Sequence, residues 1–427
     1  MAGFGNEFKS KKQNTQTKLN RKKEKIVHQA FLLHSQGKIK EALKNYKYCI
    51  DIGVNDDKIY SNYGGILQGL GKLREAANCY RKAIELNSNS SDAYSNLGII
   101  LKSLGKLREA ANCYRKAIEL NPDLAIAYSN LGNILIDLGK LQEAELSYRK
   151  AIELNPNFAN AHCNIGNVLR DLGKLKDAEL FTRKAIELNP RFVNAYVNLG
   201  NILQHTGRLE EAETSSLKAI ELKWDCPVAH YNLGLISKAL GKLEQSEISY
   251  RKAIELNPYF ASAYCNLGGL LKDIGNLKEA ELQLLKAIEI DKNLSEPYFI
   301  LSTLNYSEKT KNWRSYLFSK TILNKKTQSD LVNIYFARSN VMHKQKQFKE
   351  SEKFLIQANE VKLKIFPSDL EIRSKQHRQI LAEFGKYNIQ EKKTSLNKQN
   401  IFILGMPRSG TTLIESIISM NTKVDTL

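Results

Sequence analysis

The chain has 427 residues, 42% of them hydrophobic and 26% charged, with only 8 prolines and a formal net charge of +19. Such a length implies two or three domains unless the chain is a repeat array, and the composition excludes a disordered or collagen-like protein. No apolar run approaches the roughly 18 residues of a membrane-spanning helix, and residues 1–25 lack the apolar centre of a secretory signal, so a cytoplasmic chain that does not insert into a membrane is expected.

Residues 1–22 read as a basic, disordered tail. Residues 1–25 hold 8 Lys and Arg against 2 Asp and Glu, residues 26–294 hold 34 against 31, and residues 295–400 hold 20 against 10. The positive charge therefore sits at the two ends and the long central body is almost neutral. No aromatic residues interleave a compact basic patch, so nucleic acid is not the favoured partner.

A 34-residue period dominates the central body. Asn-Leu-Gly or a close variant places glycines at Gly64, Gly98, Gly132, Gly166, Gly200, Gly234 and Gly268, and a second glycine follows seven residues later at Gly71, Gly105, Gly139, Gly173, Gly207, Gly241 and Gly275. Alanines such as Ala110, Ala117, Ala144 and Ala151 keep the same phase, and a weaker copy sits at Ala30, Gly37, Ala42 and Tyr46. The six cysteines, at 49, 79, 113, 163, 226 and 265, form no C-x-x-C pair and have no histidine at zinc-finger spacing. No metal site is expected, and small buried thiols in a reducing compartment are the reading adopted.

Within one unit, Tyr94, Leu97, Gly98 and Leu101 fall on one helix face; Ala110, Tyr114, Ala117 and Ile118 do the same after the break at Gly105. Each unit is thus two amphipathic helices, with small residues letting the axes approach and Tyr114 expected to fill the space between neighbouring pairs. Pro122, Pro156, Pro190 and Pro258 stand where the second helix must stop. This pattern closely resembles the tetratricopeptide repeat (TPR), whose period and small residues it shares. Eight units, beginning near Lys23, Asp57, Ser91, Ala125, Ala159, Val193, Pro227 and Ala261, are expected over residues 23–294. Thr182, Ser216 and Leu284 depart from the packing tyrosine, Ser246 from an alanine and Trp224 from the proline; an array whose stability sums over units tolerates this.

Beyond Leu294 the phase decays. Residues 295–366 are read as degenerate TPR-like helices, with Pro297 to Ile322 helical and one poor copy around Ser339, Ser351 and Ala358. A helix from Ser368 to about Phe384 and a polar linker to Asn400 fill residues 367–400.

Stacked helix pairs expose a concave surface lined by the first helix of each pair, suited to an extended peptide. Asn62, Asn96, Asn130, Asn164, Asn198, Asn232 and Asn266 occupy one equivalent position there, and Asn133, Asn167 and Asn201 follow three residues after three of them. Each carboxamide both donates and accepts, so the ladder can pair with peptide units whatever their side chains. The array resembles that of O-GlcNAc transferases, which implies a protein or peptide partner in the groove. Asparagine is also common at this place in TPR helices.

The last 27 residues change character. Ile401 to Leu404 suit a buried parallel strand, Gly405-Met406-Pro407-Arg408-Ser409-Gly410-Thr411-Thr412 follows, and Leu413, Ile414, Ile417 and Ile418 recur at helical spacing. A loop between strand and helix turns N–H groups toward one point beside the positive helix end, so phosphate is the expected occupant. The ATPase loop would require lysine where Thr411 stands. The wording is most similar to the 5′-phosphosulfate loop of protein-tyrosine sulfotransferases, whose donor is 3′-phosphoadenosine 5′-phosphosulfate (PAPS). That resemblance implies that Pro407, Arg408, Ser409, Gly410, Thr411 and Thr412 bind PAPS, with Arg408 neutralising the phosphosulfate through its planar fork.

The resulting expectation is a mainly α chain, a TPR α-solenoid or superhelix of helix pairs, followed by the first strand, loop and helix of an α/β, P-loop-like sulfotransferase domain. Residues 401–427 resemble only the start of that domain. In the family the catalytic base lies further on, so this chain is expected to stop before it, to bind PAPS weakly and to transfer no sulfuryl group alone. Two functions follow: a TPR-containing sulfotransferase whose repeats recruit a protein for sulfuryl transfer to a hydroxyl, tyrosine among the candidates, or a non-catalytic protein-interaction scaffold. No Ser-His-Asp, Cys-His or metal constellation supports another chemistry.

Overall fold

The computed structural model describes residues 23–304 and 312–367. Contacts divide the chain after Lys362, and the helix pairs lie in the first of the two units. Among the described residues there are helices and no strands. Helix α1 covers residues 23–35 and pairs in sequence with α2 (Ile39–Asp51). Seven further pairs follow: α3 (Asp57–Gly69) with α4 (Leu73–Leu86), α5 (Ser91–Ser103) with α6 (Leu107–Leu120), α7 (Ala125–Asp137) with α8 (Leu141–Leu154), α9 (Ala159–Asp171) with α10 (Leu175–Leu188), α11 (Val193–His205) with α12 (Leu209–Leu222), α13 (Pro227–Ala239) with α14 (Leu243–Leu256), and α15 (Ala261–Asp273) with α16 (Leu277–Ile290). The observed architecture is a mainly α, solenoid-like stack of helical repeats.

Each bend is set by local chemistry. At the end of α5 the chain turns through Gly105, whose φ of +74° suits a residue without a Cβ. Gly105 N donates to Lys102 O and Lys106 N to Leu101 O, the paired bonds of a Schellman stop. At the end of α6, Asn121 leaves the helix in an extended conformation and its Oδ1 accepts from Asp123 N at 3.2 Å, so an Asx turn and Pro122 together prevent continuation. At later units a side chain in the first turn of the following helix bonds back to the equivalent turn. Tyr196 Oη donates to Pro190 O, His162 Nε2 to Pro156 O, His230 Nε2 to Trp224 O and Tyr298 Oη to Lys292 O.

Within a pair, a glycine of the first helix meets a ring of the second. A Cβ on Gly98 would lie 2.8 Å from Tyr114 Cζ, and one on Gly132 2.7 Å from Tyr148 Cζ. The tyrosine therefore closes its own pair, where the sequence pattern suggested that it fills the gap between pairs. Leu284 occupies the same place against Gly268, and Thr182 and Ser216 take it against Gly166 and Gly200. Ala110, Ala117, Ala144 and Ala151 are fully buried beside these contacts.

The apolar core follows the substitutions. One cluster runs from Leu67 to Ile202 and another from Tyr250 to Val341, with smaller groups such as Leu199, Leu203, Ala212 and Ile236 between them. In that interval Ser216 replaces tyrosine and Ser237 replaces the leucine found at Leu101, Leu135, Leu169 and Leu203. Both serines are fully buried and their hydroxyls have no hydrogen-bond partner, a pairing failure that burial makes costly.

Past α16 the helices shorten. In the stretch from Pro297 to Ile322, α17 (Glu296–Thr303) is capped at Leu304, and α18 (Asn312–Leu317) is followed by a 3-10 turn at Thr321–Leu323. Then come α19 (Gln328–Lys344), started by a Thr327/Asp330 capping box, and α20 (Phe348–Ile365). Ser339 and Ser351, which stand where earlier units have glycine and alanine, join α19 to α20 by mutual hydroxyl bonds at 3.0 Å. The expected helix from Ser368 and the 401–427 segment lie outside the described residues.

Closure by glycine against a buried ring has a direct test. Gly132→Ala should destabilise the array by about 1–3 kcal/mol through overpacking, despite gaining about 1 kcal/mol of helix propensity. Gly139→Ala meets no atom within 4 Å but keeps a φ of +74°, so its cost is that of a left-handed residue, about 1–2 kcal/mol. Urea melts of the two variants would measure this, and a neutral Gly132→Ala would show that the ring contact does not set the helix spacing.

Candidate functional site

Successive first helices touch one another, α3 with α5, α5 with α7, α7 with α9, α9 with α11, α11 with α13 and α13 with α15, and successive second helices make no comparable contact. The stack is therefore tighter along its first helices, which form the inner face. The asparagine ladder lies on these helices. Asn62, Asn96, Asn130, Asn164, Asn198 and Asn266 are half-buried and Asn232 is 3% exposed.

Several ladder amides bond to the preceding unit. Asn164 Nδ2 donates to Asn133 Oδ1 at 3.2 Å, and the same oxygen accepts from Tyr148 Oη at 2.7 Å. Asn198 Nδ2 donates to Cys163 O at 3.4 Å and approaches its Sγ at 3.3 Å, and Asn266 Nδ2 donates to Tyr231 Oη at 2.7 Å. These bonds run through Nδ2, so the carboxamide oxygens of Asn198 and Asn266 are not consumed by them. Asn232 Nδ2 and Asn167 Oδ1 are buried without a hydrogen-bond partner. The ladder thus ties unit to unit as well as facing the groove.

The amides are densest in the middle. On α9, Asn160, Asn164 and Asn167 share one face, and on α11 Asn194, Asn198 and Asn201 repeat it, with Asn130 and Asn133 on α7. Asn160 and Asn194 are exposed and were missed by the sequence pattern, although each stands four residues before a ladder asparagine. Cys163 and Tyr231, the partners in the preceding unit, were missed as well; each lies 35 residues before the asparagine it meets.

Charges on this face pair among themselves. Lys102 lies 3.5 Å from Asp137, Arg170 2.8 Å from Asp171 and Lys238 2.7 Å from Asp273. Toward the first units the groove opens into a space of about 830 Å3 lined by Lys58, Ser61, Asn62, Gly65, Asp92 and Asn96. Gly65 and Gly69 leave the α3 backbone uncovered there. Among the described residues no group of His, Cys, Asp and Glu is placed to hold a metal ion, and no helix is long and apolar enough to cross a membrane.

Family profiles described as TPR repeat match residues 64–105, 100–136 and 132–173, and profiles described as tetratricopeptide repeat match 159–192, 227–260, 181–214 and 249–282. The repeats are tetratricopeptide repeats. No curated protein sequence matches the chain. Among solved structures, the chain is similar to YrrB, a TPR protein with an unusual peptide-binding site, at 29% identity and a TM-score of 0.37, covering 44% of this chain and 96% of that one. It is similar to a tetratricopeptide repeat protein from Parabacteroides merdae at 19% identity and a TM-score of 0.48, covering 61% and 99%. The Cut9–Hcn1 structure of the APC/C gives 14% identity and a TM-score of 0.52 over 66% of this chain and 55% of that one, a likeness of fold.

The sulfotransferase-like loop, Pro407 to Thr412, lies outside the described residues, and the matched profiles are those of the TPR repeats alone. Three of the repeat cysteines are held as thiols. Burial pushes the thiols of Cys79, Cys113 and Cys163 up to about 11, which keeps them protonated and unreactive at neutral pH. At pH 8, iodoacetamide should therefore label these three cysteines far more slowly in the native chain than in urea. Site-resolved mass spectrometry would measure this; Cys163 labelled equally fast in both states would contradict it.

Proposed function

We propose that the chain is a protein-interaction scaffold that holds extended polypeptide along its inner face. Tetratricopeptide repeats point to protein–protein interaction, and the observation that carries the finer reading is the amide-rich surface across α7, α9 and α11. An extended segment offers N–H and C=O groups in alternation, and a carboxamide satisfies either. The internally paired charges of Lys102, Arg170 and Lys238 favour recognition through such neutral bonds.

Changing Asn130, Asn164 and Asn198 together to alanine tests this. Anisotropy with labelled peptides selected on the wild-type chain should show binding weakened about tenfold or more, at about 1 kcal/mol per lost bond. Helix content should hold, because alanine is the better helix former. Unchanged affinity would leave the ladder as packing between units.

A second reading rests on the sequence pattern Gly405-Met406-Pro407-Arg408-Ser409-Gly410-Thr411-Thr412-Leu413. On this reading the loop binds the phosphosulfate of PAPS, Arg408 supplying the charge and Ser409, Gly410, Thr411 and Thr412 the hydrogen bonds, and the TPR array delivers a polypeptide whose hydroxyl accepts sulfuryl. Equilibrium dialysis with labelled PAPS should find weak binding that Arg408→Ala abolishes. Retention indifferent to Arg408→Ala would remove the loop from the account.

A further inference from the structure

The inner face is not uniform along its length. Three and seven places after the ladder asparagine, α7 carries Asn133 and Asp137 and α9 carries Asn167 and Asp171, whereas α3 carries Gly65 and Gly69. Both glycines are exposed, so over one turn the helix presents bare backbone and the floor of the groove drops by the depth of a side chain. The space of about 830 Å3 at this end of the array lies over them.

The hydroxyl of Tyr80 lies at the bottom of that space. A Cβ on Gly65 would stand 3.4 Å from Tyr80 Oη, and the residue is only 2% exposed. In other units the corresponding hydroxyl is covered or bonded. Asn133 accepts from Tyr148 Oη at 2.7 Å, and Ile99 and Leu235 stand at the same place in the pairs closed by Tyr114 and Tyr250. The eighth unit also has a glycine there, Gly269, but Ile300 comes within 3.5 Å of where its Cβ would be. Tyr80 Oη has no hydrogen-bond partner among the described residues and opens into the cavity. Burial raises its pKa, so at neutral pH it is an intact hydroxyl able to donate and to accept.

The wall around it is rich in acceptors. Asn62 and Asn96 supply carboxamides, and Asp57 and Asp92 supply two carboxylates against the single ammonium of Lys58. Asp57 Oδ2 accepts from Asn87 Nδ2 at 2.8 Å, His34 Nδ1 lies 3.1 Å from Tyr46 Oη, and Asp92 makes no ion pair among the described residues. Further along the inner face Asp137, Asp171 and Asp273 already have their bases.

We infer that this cavity is a subsite for an arginine side chain of the held polypeptide. The guanidinium descends past Gly65 to Tyr80 Oη, and Asp92 and the carboxamide oxygens of Asn62 and Asn96 accept its remaining N–H groups. The inference rests on the reading that extended polypeptide lies along the inner face. Depth selects a long side chain, because a backbone resting at the level of the neighbouring amides stands well above the hydroxyl. The excess of carboxylate selects a cation, and acceptors spread around the wall suit the five donors of a planar guanidinium.

From α7 to α3 is two steps of about 10 Å, which six or seven extended residues cover at about 3.3 Å each. The probe is therefore a peptide selected on the wild-type chain and lengthened at each end in turn by about ten glycine and serine residues, with one arginine scanned through the added segment. At one place arginine should tighten binding about tenfold over norleucine, read by anisotropy, and glutamate should not. Gly65→Leu, which fills the depression with the residue type of Leu235, and Asp92→Asn should each remove most of that gain while the unextended peptide binds as before. Tyr80→Phe, which keeps the ring, should reduce it. Melting curves establish that the variants fold, and Asp92→Asn with Tyr80→Phe carries the test if Gly65→Leu does not. The ladder is judged separately, on the unextended peptide and the Asn130, Asn164 and Asn198 variant. Absence of any preference for arginine over norleucine overturns the subsite and leaves the ladder standing. So does a preference that survives Gly65→Leu and Asp92→Asn.

Discussion

The contact between a glycine of the first helix and a buried ring of the second sets the geometry on which the rest of the TPR array depends. At Gly98 and Gly132 the ring of Tyr114 or Tyr148 sits where a Cβ would be, so the two helices come closer than side chains would otherwise permit. Because a glycine of the first helix closely meets the second helix in every pair from α3/α4 to α15/α16, the same face of each first helix is presented in turn, and 34 residues of sequence become one step of a surface. Where the ring is absent, at Thr182 and Ser216, the glycine remains close to its partner and the buried apolar volume falls. The central core is interrupted there, around the unpartnered hydroxyls of Ser216 and Ser237.

Tight stacking along the first helices and looser stacking along the second give the array two unlike faces. The inner one is polar without free charge at its centre: asparagines of α7, α9 and α11 bond partly to the preceding unit, and neighbouring acids and bases pair. The outer one alternates ion pairs with exposed aliphatics. Pairs such as Arg115 with Glu143 at 3.7 Å are half-exposed and contribute little to stability, so cohesion rests on the glycine, alanine and ring contacts inside each unit and on the leucines between units.

Much of this was legible in the sequence because the period is so regular. The glycines at Gly105 and Gly139 and the prolines after the second helices each have one structural meaning at their spacing, and the helix pairs follow from them. What was not legible is the partner of each side chain across units. A tyrosine at the place of Tyr114 could close its own pair or fill the next gap, and only the crossing of the helices decides. The bonds from Asn198 to Cys163 and from Asn266 to Tyr231 depend on stacking rather than on local pattern. Past Leu294 the small-residue signal weakens; Pro297 to Ile322 reads only as helical, and where α17 ends and α18 begins is not marked by any repeated residue. The exposed aliphatics Leu146, Leu180, Ile248 and Leu282 were in plain sight in the sequence, but an aliphatic on an amphipathic helix is read as core until its face is known.

The central claim is that the inner face of the TPR array is where polypeptide is held. Hydrogen exchange of the full chain with and without a selected peptide, read by mass spectrometry at the level of single helices, tests it most directly. Protection confined to α7, α9 and α11 and their immediate neighbours on the inner face is the result the account predicts. Protection of α8, α10 and α12 with the first helices unchanged would contradict it.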